Sequence, residues 1–343
     1  MDSLTQAVLG ATVGELVLGK KVGNKAPLWG AIAGTIPDLD VLLNFFVRDV
    51  QSTLWHRTFS HSFIFLTLAA PLLGYLVYYL HRNSTSASPI DWFWLFFWGL
   101  ITHPLLDSCT NYGTMLFYPF SDFRVAFRTI YIIDPLYTLP LLVATIAVLF
   151  MRRNSRTRKN TARLAIILST AYLLLTSANK LYVNHVVKHS LEEQQISHEK
   201  FMSSPTFFNN LLWSVIVKSG SDYYVGYYSI LDNKKQIDFN KISQQKGMLL
   251  PYLQKAKAED RQLILELLEF TEYFYLLEPV GDKLNLYDLR FGKLSGWFDD
   301  AQNYIFTFSI NSQEEELRIE RVDAKLELQR EDFLRLLKRT KGN

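Results

Sequence analysis

Cysteine is almost absent from this chain of 343 residues, because Cys109 is the only one. A single thiol excludes an internal disulfide framework and a zinc site built from several cysteines. The formal net charge is only +3, which is too small to suggest a nucleic-acid-binding protein. Residues 4–19 lack a basic leader and a clean small-residue cleavage site, so no cleavable signal peptide is predicted.

Long apolar runs dominate the first 183 residues, whereas residues 184–343 are charged and alternating. A membrane span needs about 20 apolar residues. By this measure, the third, fifth and sixth apolar segments are convincing, and the second is interrupted by Pro37 and two aspartates. We therefore predict a helical integral membrane domain of about six spans over residues 1–183. Its apolar segments are 4–19, 26–47, 62–80, 91–107, 131–151 and 163–183.

The second half of the chain has the pattern of a smaller soluble α+β domain, residues 184–343. Aromatic and aliphatic residues alternate in four stretches, which is typical of strands. Two further stretches have the apolar spacing of amphipathic helices. The predicted strands are 211–218, 223–231, 284–290 and 304–310, and the predicted helices are 251–270 and 327–340.

Basic residues predict the orientation in the membrane. They lie between the first and second segments, after the third, and between the fifth and sixth. The positive-inside rule places these three loops in the cytoplasm. The N-terminus, residues 48–61, residues 103–134 and the domain after 183 would then be extracytoplasmic, and every candidate site residue lies at this outward side.

His103 and Asp107 are four residues apart, so on a helix an imidazole and a carboxylate share one face and could reach one metal ion. The alternative is an aspartate at a helix end, capping the turn of residues 108–110, beside a core histidine that hydrogen-bonds to backbone. This spacing is common and leaves both interpretations open.

A second pair of imidazoles lies in the stretch from His56 to Ser62. Ser60 suits the N-cap of the third apolar segment, which puts His61 in the first helical turn and His56 in the loop before it. Two residues five apart on a helix point about 140° away from each other. The two histidines could therefore share an ion only if the loop folds back. The alternative is a helix cap with interfacial histidines.

Asp38 and Asp40 offer two oxygen ligands next to Pro37. A broken helix survives at membrane depth only where protein or a water-filled cavity surrounds it, which predicts a polar pocket here. Asp38 could instead cap a following helix, but capping does not account for Asp40. Carboxylates together with imidazoles suit zinc, with manganese and iron as alternatives, better than calcium. The number of ligands would allow a two-metal site.

Three arginines, Arg57, Arg124 and Arg128, lie in the same outward regions. A guanidinium group matches phosphate in a bidentate way, so these residues are candidates for binding a substrate phosphate. The alternative is that they extend to lipid headgroups. Asp134 opens the fifth segment on this side and could orient a ligand histidine.

Four motifs in this order resemble the YdjM-type family, the LexA-regulated, membrane-bound, predicted metal-dependent hydrolases of bacteria. They are residues 1–6 (MDSLTQ), 34–40 (GTIPDLD), His56-Arg57 with Ser60-His61-Ser62, and His103 with Asp107. Residues 112–114 and 133–137 also look like the family. The resemblance covers about the first 140 residues and implies an inner-membrane location.

The family is similar to zinc-dependent phospholipase C and single-strand nucleases. This resemblance implies a divalent metal, expected to be zinc, held by Asp38, His61, His103 and Asp107. Asp40 and His56 come next in support. One departure is Gln6, because many relatives carry a histidine there and glutamine is a poor metal ligand.

The leading hypothesis is a metal-dependent hydrolase that cleaves a phosphoester, which could be lipid-linked, at the outer face of the inner membrane. Asp40, His56 and Asp134 are its candidate catalytic residues, and membrane lipid is its expected partner. Two alternatives stay open. One is a transporter or channel, which would use a broken helix and intramembrane acids. The other is a structural metal that supports a partner-binding tail domain.

Overall fold

The protein is described here by a computed structural model, which covers residues 1–293, 304–313, 316–323 and 330–342. Its residues cluster into two compact units. The first unit consists of Met1–Leu42, Trp55–Ala178 and Phe207–Asn209, and the second of Leu43–Leu54, Asn179–Thr206 and Asn210–Asn343.

Helices dominate the described chain up to residue 193. A 3-10 helix, Ile36–Phe45, follows α2, and a shorter one, Phe59–His61, precedes α4. The α-helices are α1 (Ser3–Val22), α2 (Lys25–Thr35), α3 (Asp49–Trp55), α4 (Phe63–His81), α5 (Pro89–Asp107), α6 (Pro135–Phe150) and α7 (Arg156–Glu193).

The prediction of about six membrane spans is wrong. Within the described ranges, two helices are long and apolar enough to cross a membrane, α4 and α7. They correspond to the third and sixth apolar segments. The fifth segment forms only the 16-residue α6, which is shorter than the usual minimum of about 17 residues for a span.

Charge and chain breaks explain why the other segments do not qualify. Helix α1 contains Glu15 and ends in Lys20 and Lys21. The second segment divides into the 11-residue α2 and a 3-10 helix. Helix α5 has a length of 19 residues but contains Asp91, His103 and Asp107. Hydropathy along a sequence cannot separate such a buried helix from a span, because both are rich in apolar residues.

Helices α1 and α2 are in backbone contact through four glycines. A Cβ atom added to Gly10 would lie 2.2 Å from the carbonyl oxygen of Gly30, and one added to Gly14 would lie 2.5 Å from that of Ala26. On the other helix, a Cβ on Gly34 would lie 2.5 Å from the Gln6 carbonyl oxygen. Small residues four apart allow two helices to approach this closely. This packing fixes the end of α2, where the chain turns toward Asp38.

The core of the first unit holds α5 in place. Trp92, Leu95, Phe96 and Leu100 are essentially inaccessible to solvent and pack with Leu66 of α4 and with residues of α1 and α2. Burying a large apolar side chain stabilises a fold by about 1.5–3 kcal/mol. The following turn of α5, which carries His103 and Asp107, therefore has a fixed position.

The C-terminal region has a two-sheet β architecture rather than the predicted α+β domain. Each sheet is antiparallel with its strands in sequence order. The strands are β1 (Lys200–Pro205), β2 (Leu212–Ser219), β3 (Asp222–Ser229) and β4 (Asn240–Ser243), then β5 (Tyr275–Val280), β6 (Lys283–Asp288), β7 (Phe306–Gln313) and β8 (Glu316–Asp323). The helices of this region are α8 (Leu250–Lys255), α9 (Ala258–Phe270) and α10 (Arg330–Thr340).

Both faces of β2 are buried within the second unit. Trp213 and Val215 belong to one cluster with Val183 and Val187 of α7. Ile216 points the other way and packs in a second cluster with residues of β5 and β6. Burial on both faces explains why β2 has an almost continuous apolar sequence.

Candidate metal centre

Three local structures bring the predicted ligands together. The 3-10 helix Ile36–Phe45 carries Asp38, the 3-10 turn Phe59–His61 ends at His61, and α5 carries His103 and Asp107 one turn apart. One ligand atom from each of the four lies within 4.8 Å of the other three. His61, His103 and Asp107 are almost completely buried, whereas the Asp38 side chain is 22% exposed.

Five of the six distances between the four donor atoms fall between 3.1 and 3.5 Å. His61 Nε2 lies 3.1 Å from His103 Nε2, 3.5 Å from Asp38 Oδ1 and 3.4 Å from Asp107 Oδ2. His103 Nε2 lies 3.3 Å from Asp38 Oδ1 and 3.5 Å from Asp107 Oδ2. Zinc–ligand bonds of about 2.0–2.1 Å place tetrahedral ligands about 3.3–3.4 Å apart. The five distances are close to this value, and the remaining pair, from Asp38 and Asp107, lies within 4.8 Å. The four residues could therefore hold one small cation.

The tautomer of His103 follows from its other ring nitrogen. His103 Nδ1 lies 2.6 Å from the carbonyl oxygen of Gly34. Because a carbonyl can only accept, Nδ1 carries a hydrogen, so in the neutral ring Nε2 has the lone pair. Despite its burial, the pKa of His103 is raised to about 9 by Asp107 and Asp38 in the absence of a metal ion. The close α1–α2 packing described above positions this carbonyl.

The tautomer of His61 is set by a two-step link to Asp40. Ser60 Oγ donates to Asp40 Oδ2 at 2.7 Å, and His61 Nδ1 lies 2.9 Å from the same Ser60 oxygen. Since the serine hydrogen points at the carboxylate, His61 Nδ1 is the donor to Ser60. His61 Nε2 therefore also keeps its lone pair. Ser60 is not the predicted N-cap of α4, because Ser62 accepts from the Phe65 amide.

These assignments make two nitrogen lone pairs face each other at 3.1 Å. In neutral imidazoles neither atom can donate, so the contact is repulsive unless a cation or a proton lies between them. Histidines that bind a metal through one ring nitrogen commonly donate a hydrogen bond from the other nitrogen to a carbonyl or carboxylate. The donor set therefore fits a metal ion.

Asp107 Oδ2 is paired in charge with Arg57 but accepts no hydrogen bond among the described residues. Arg57 Nε lies 2.9 Å from Asp107 Oδ2, but the two atoms are not aligned, and neither has a hydrogen bond among the described residues. The other oxygen, Oδ1, accepts from Gln6 Nε2 at 3.0 Å and contacts the amino group of Met1. Asp107 thus directs one lone-pair-bearing oxygen toward the two histidines.

Asp40 and His56 form a pair next to these four residues. His56 Nδ1 lies 2.8 Å from Asp40 Oδ1, and the ring centroids of His56 and His61 are 5.6 Å apart. Burial alone would raise the pKa of Asp40, but the hydrogen bond with His56 and the histidine charges hold it below its ordinary value. Burial lowers the pKa of His56 despite this carboxylate.

Asp38 lies beside both imidazoles. Burial alone would raise its pKa, but when these rings are protonated their hydrogen bonds hold the pKa of Asp38 well below its usual range. Two acids separated by one residue therefore have different surroundings. Asp38 faces both Nε2 atoms, whereas Asp40 lies behind His61 and beside His56.

Arg57, predicted as a phosphate-binding residue, contacts the candidate ligand Asp107 instead, which the sequence did not predict. It is buried against Asp107, donates from Nη1 to Thr110 Oγ1 at 2.9 Å, and lies over the Tyr112 ring. Its backbone adopts a left-handed conformation with φ of 61°, which is uncommon for a residue other than glycine. Its amide donates to Asp40 Oδ2 at 3.2 Å.

The other three predicted residues lie outside the group of four ligands. Arg124 Nη1 donates to the carbonyl oxygens of His56 and Gly113, and Arg128 Nη1 donates to that of Ala126. Asp134 caps α6 by accepting from the amides of residues 136 and 137, and its other oxygen accepts from Tyr172 at 2.8 Å. These contacts occupy both oxygens of Asp134, and none of them involves a histidine.

Sequence reasoning missed the contributions of Ser60, Gln6 and the Gly34 carbonyl. Gln6 is buried and donates both to Asp107 and to the carbonyl oxygen of His103 at 3.2 Å. A signal for Gln6 was present, since the resembling family often has histidine there. The serine link and the carbonyl contact depend on chain folding that no spacing reveals.

The fold and the site define a helical protein with two helices suited to crossing a membrane and a buried His/Asp cluster that could hold a metal ion. The family model for the YdjM inner membrane protein matches residues 1–183. The chain belongs to this family. No curated protein and no solved structure matches the chain.

Proposed function

We propose that this protein is a metal-dependent hydrolase that cleaves a phosphoester at the outer face of the inner membrane. The observation that supports this proposal is the convergence of His61 Nε2, His103 Nε2, Asp38 Oδ1 and Asp107 Oδ2. Both histidines and Asp107 are also hydrogen-bonded by residues behind them. These four residues would hold the ion, and zinc is the metal that best suits two imidazoles and two carboxylates. When bound, such an ion lowers the pKa of water and polarises a phosphoryl oxygen.

Hydrolysis adds water across a phosphorus–oxygen bond. The water oxygen bonds to phosphorus, and the ester oxygen leaves with the bonding electrons and takes up a proton. The Asp40–His56 pair is suited to accept the proton of the water, because Asp40 holds His56 Nδ1 and leaves Nε2 without a hydrogen bond among the described residues. An imidazole held by a carboxylate is a common general base.

Arg57 supplies positive charge beside Asp107. Its Nε lies 2.9 Å from Asp107 Oδ2, and its side chain is 5% exposed. Direct phosphate binding by Arg57, and by Arg124 and Arg128, remains part of the proposal. Arg124 carries its charge next to the His56 backbone.

The outward orientation is supported by the two candidate spans. Helix α4 is followed by Arg82, and Arg152, Arg153 and Arg156 lie at the beginning of α7. The positive-inside rule places these ends in the cytoplasm. The opposite end of α4, which directly follows His61, and the chain after α7 are then extracytoplasmic.

The direct test is hydrolysis of bis(p-nitrophenyl) phosphate by detergent-purified protein loaded with Zn²⁺ or Mn²⁺. His103→Gln and Asp107→Asn should each lower kcat/KM by at least about 100-fold, since each removes one proposed ligand. Asp107→Asn keeps the shape of the side chain beside buried Arg57. The matched control His189→Ala/Asp222→Ala changes an exposed histidine and a surface aspartate. Equal rates in all four proteins would refute the proposal.

A structural metal is a second candidate function, and the same four residues favour it. Four protein ligands form the closed arrangement of structural zinc sites, whereas catalytic sites usually keep one position for water. A catalytic site and a structural site differ in whether water can reach the ion. Asp38 is the position where this could happen, because its side chain is the only one of the four that is substantially exposed. Visible spectra of the Co²⁺-substituted protein should change on adding phosphate if the site is catalytic, and should not change if it is structural.

A further inference from the structure

Four phenylalanine side chains are exposed on residues 117–127, here called the phenylalanine loop. Phe120 is 84% exposed and Phe123 is 68% exposed, and more than half of Phe117 and Phe127 is also accessible. Scattered exposed apolar residues are normal, but large aromatic side chains gathered on one loop usually mark an interaction surface.

The phenylalanine loop is continuous with the beginning of α4. The amide of Phe63, the first residue of that helix, donates to the carbonyl oxygen of Leu116 at 3.0 Å, and the Phe63 and Phe117 rings are 5.9 Å apart. Along α4, Leu68 and Leu72 are 65% and 73% exposed. The apolar surface therefore runs from the loop onto a helix that is long and apolar enough to cross a membrane.

The loop is also tied to the candidate metal centre. The Met115 amide donates to the Arg57 carbonyl oxygen at 2.9 Å, and Arg124 within the loop donates to the His56 carbonyl oxygen at 3.2 Å. Thr114, just before the loop, forms an antiparallel bridge with Val125 within it. Any contact that holds the phenylalanine loop in place therefore also holds the segment that carries His56 and Arg57.

We propose that the phenylalanine loop inserts into the outer leaflet of the bilayer and that the substrate is the headgroup phosphoester of a membrane lipid. The substrate part rests on the function proposed above. We choose a lipid surface as the binding partner of the loop for two reasons. The exposed rings continue the apolar surface of α4, and the chain belongs to an inner membrane protein family. Aromatic side chains at the level of the headgroups would hold His56 and Arg57 close to the lipid phosphates.

Electron paramagnetic resonance tests insertion directly. The full chain with Cys109→Ser and Phe120→Cys is spin-labelled and reconstituted in vesicles of phosphatidylethanolamine and phosphatidylglycerol. The label at position 120 should be accessible to oxygen and protected from a water-soluble nickel complex. The matched control is Lys235→Cys, at an exposed position of the C-terminal region, which should show the reverse. Equal access of the nickel complex at both positions would overturn insertion.

The substrate part is tested with Phe120→Ser/Phe123→Ser. Hydrolysis of vesicle lipid, measured as release of phosphorus into water, should fall about tenfold or more, because the loop without these rings would no longer hold His56 and Arg57 close to the lipid phosphates. Hydrolysis of bis(p-nitrophenyl) phosphate and metal content should stay unchanged. Equal losses on both substrates would overturn the lipid assignment. A wild type inactive on both would refute the proposed function, while the spin-label result would still decide insertion.

Discussion

Single side chains determine whether two histidines can bind the same ion. His103 is oriented by a backbone carbonyl, whereas His61 depends on the hydroxyl of Ser60, which in turn donates to Asp40. These partners leave both Nε2 atoms with lone pairs, so the residues behind the ligands are as informative as the ligands themselves.

Ser60→Ala should weaken metal binding by about 10–100-fold, because it removes the link that orients His61. Ser62→Ala is the matched control. Ser62 caps α4, and its loss should lower the free energy of unfolding by about 1 kcal/mol without changing metal affinity. Competition with a chelator measures the affinity. Unchanged binding in Ser60→Ala would contradict this account.

Asp134→Ala separates a helix cap from a catalytic residue. Asp134 accepts from two amides of α6 and from Tyr172, so we expect a loss of about 0.5–2 kcal/mol in stability. Metal content and the rate of hydrolysis should be preserved at temperatures where the variant is folded. A loss of activity with stability intact would instead favour the predicted catalytic role of Asp134.

The family resemblance pointed to four ligand candidates, and the structure brings these four residues together in a cluster that could hold a metal ion. The resemblance placed Asp38 ahead of Asp40, but residue type and spacing alone could not, since two acids one residue apart differ only in what the folded chain places around them. Likewise, Ser60 and Ser62 are both good caps by residue type, and only the geometry shows that Ser62 caps the helix.

At the scale of elements, the close contact of α1 with α2 positions the Gly34 carbonyl against His103. A Cβ at Gly30 would meet the Gly10 carbonyl oxygen at 2.2 Å. Because backbone cannot move aside cheaply, the contact depends on glycine at these positions.

Gly30→Ala should lower the free energy of unfolding by about 1–3 kcal/mol and also weaken metal binding, since α2 must shift away from α1. Gly247→Ala is the control, because a Cβ there would meet nothing within 4 Å. Thermal unfolding in detergent followed by chelator competition measures both effects. Equal stability and equal metal affinity in the two variants would contradict the proposed role of the contact between α1 and α2.

Strands were predicted better than spans. The four predicted strands coincide with β2, β3, β6 and β7 within one to three residues at each end. The predicted helix 251–270 forms α8 and α9 with a break between them, and residues 327–329 of the other helix lie outside the described ranges. Spans were overcounted because buried helices such as α5 have the same apolar composition as lipid-facing ones.

At the scale of the whole molecule, the proposed orientation puts both basic helix ends in the cytoplasm. Cysteines at Ser84, after α4, and at Ser155, before α7, in a Cys109→Ser chain should react with a membrane-impermeant maleimide only after permeabilisation. A cysteine at Lys235 should react in intact spheroplasts. Labelling of positions 84 and 155 in intact spheroplasts would refute the orientation.

Metal content tests the central claim most directly. Elemental mass spectrometry of detergent-purified protein should find about one equivalent of zinc, manganese or iron in the wild type. The His189→Ala/Asp222→Ala control should contain the same amount, and His103→Ala/Asp107→Ala and Asp107→Asn should contain little or none. A wild type without metal, even after reconstitution with these ions, would contradict the assignment of Asp38, His61, His103 and Asp107 as a metal centre.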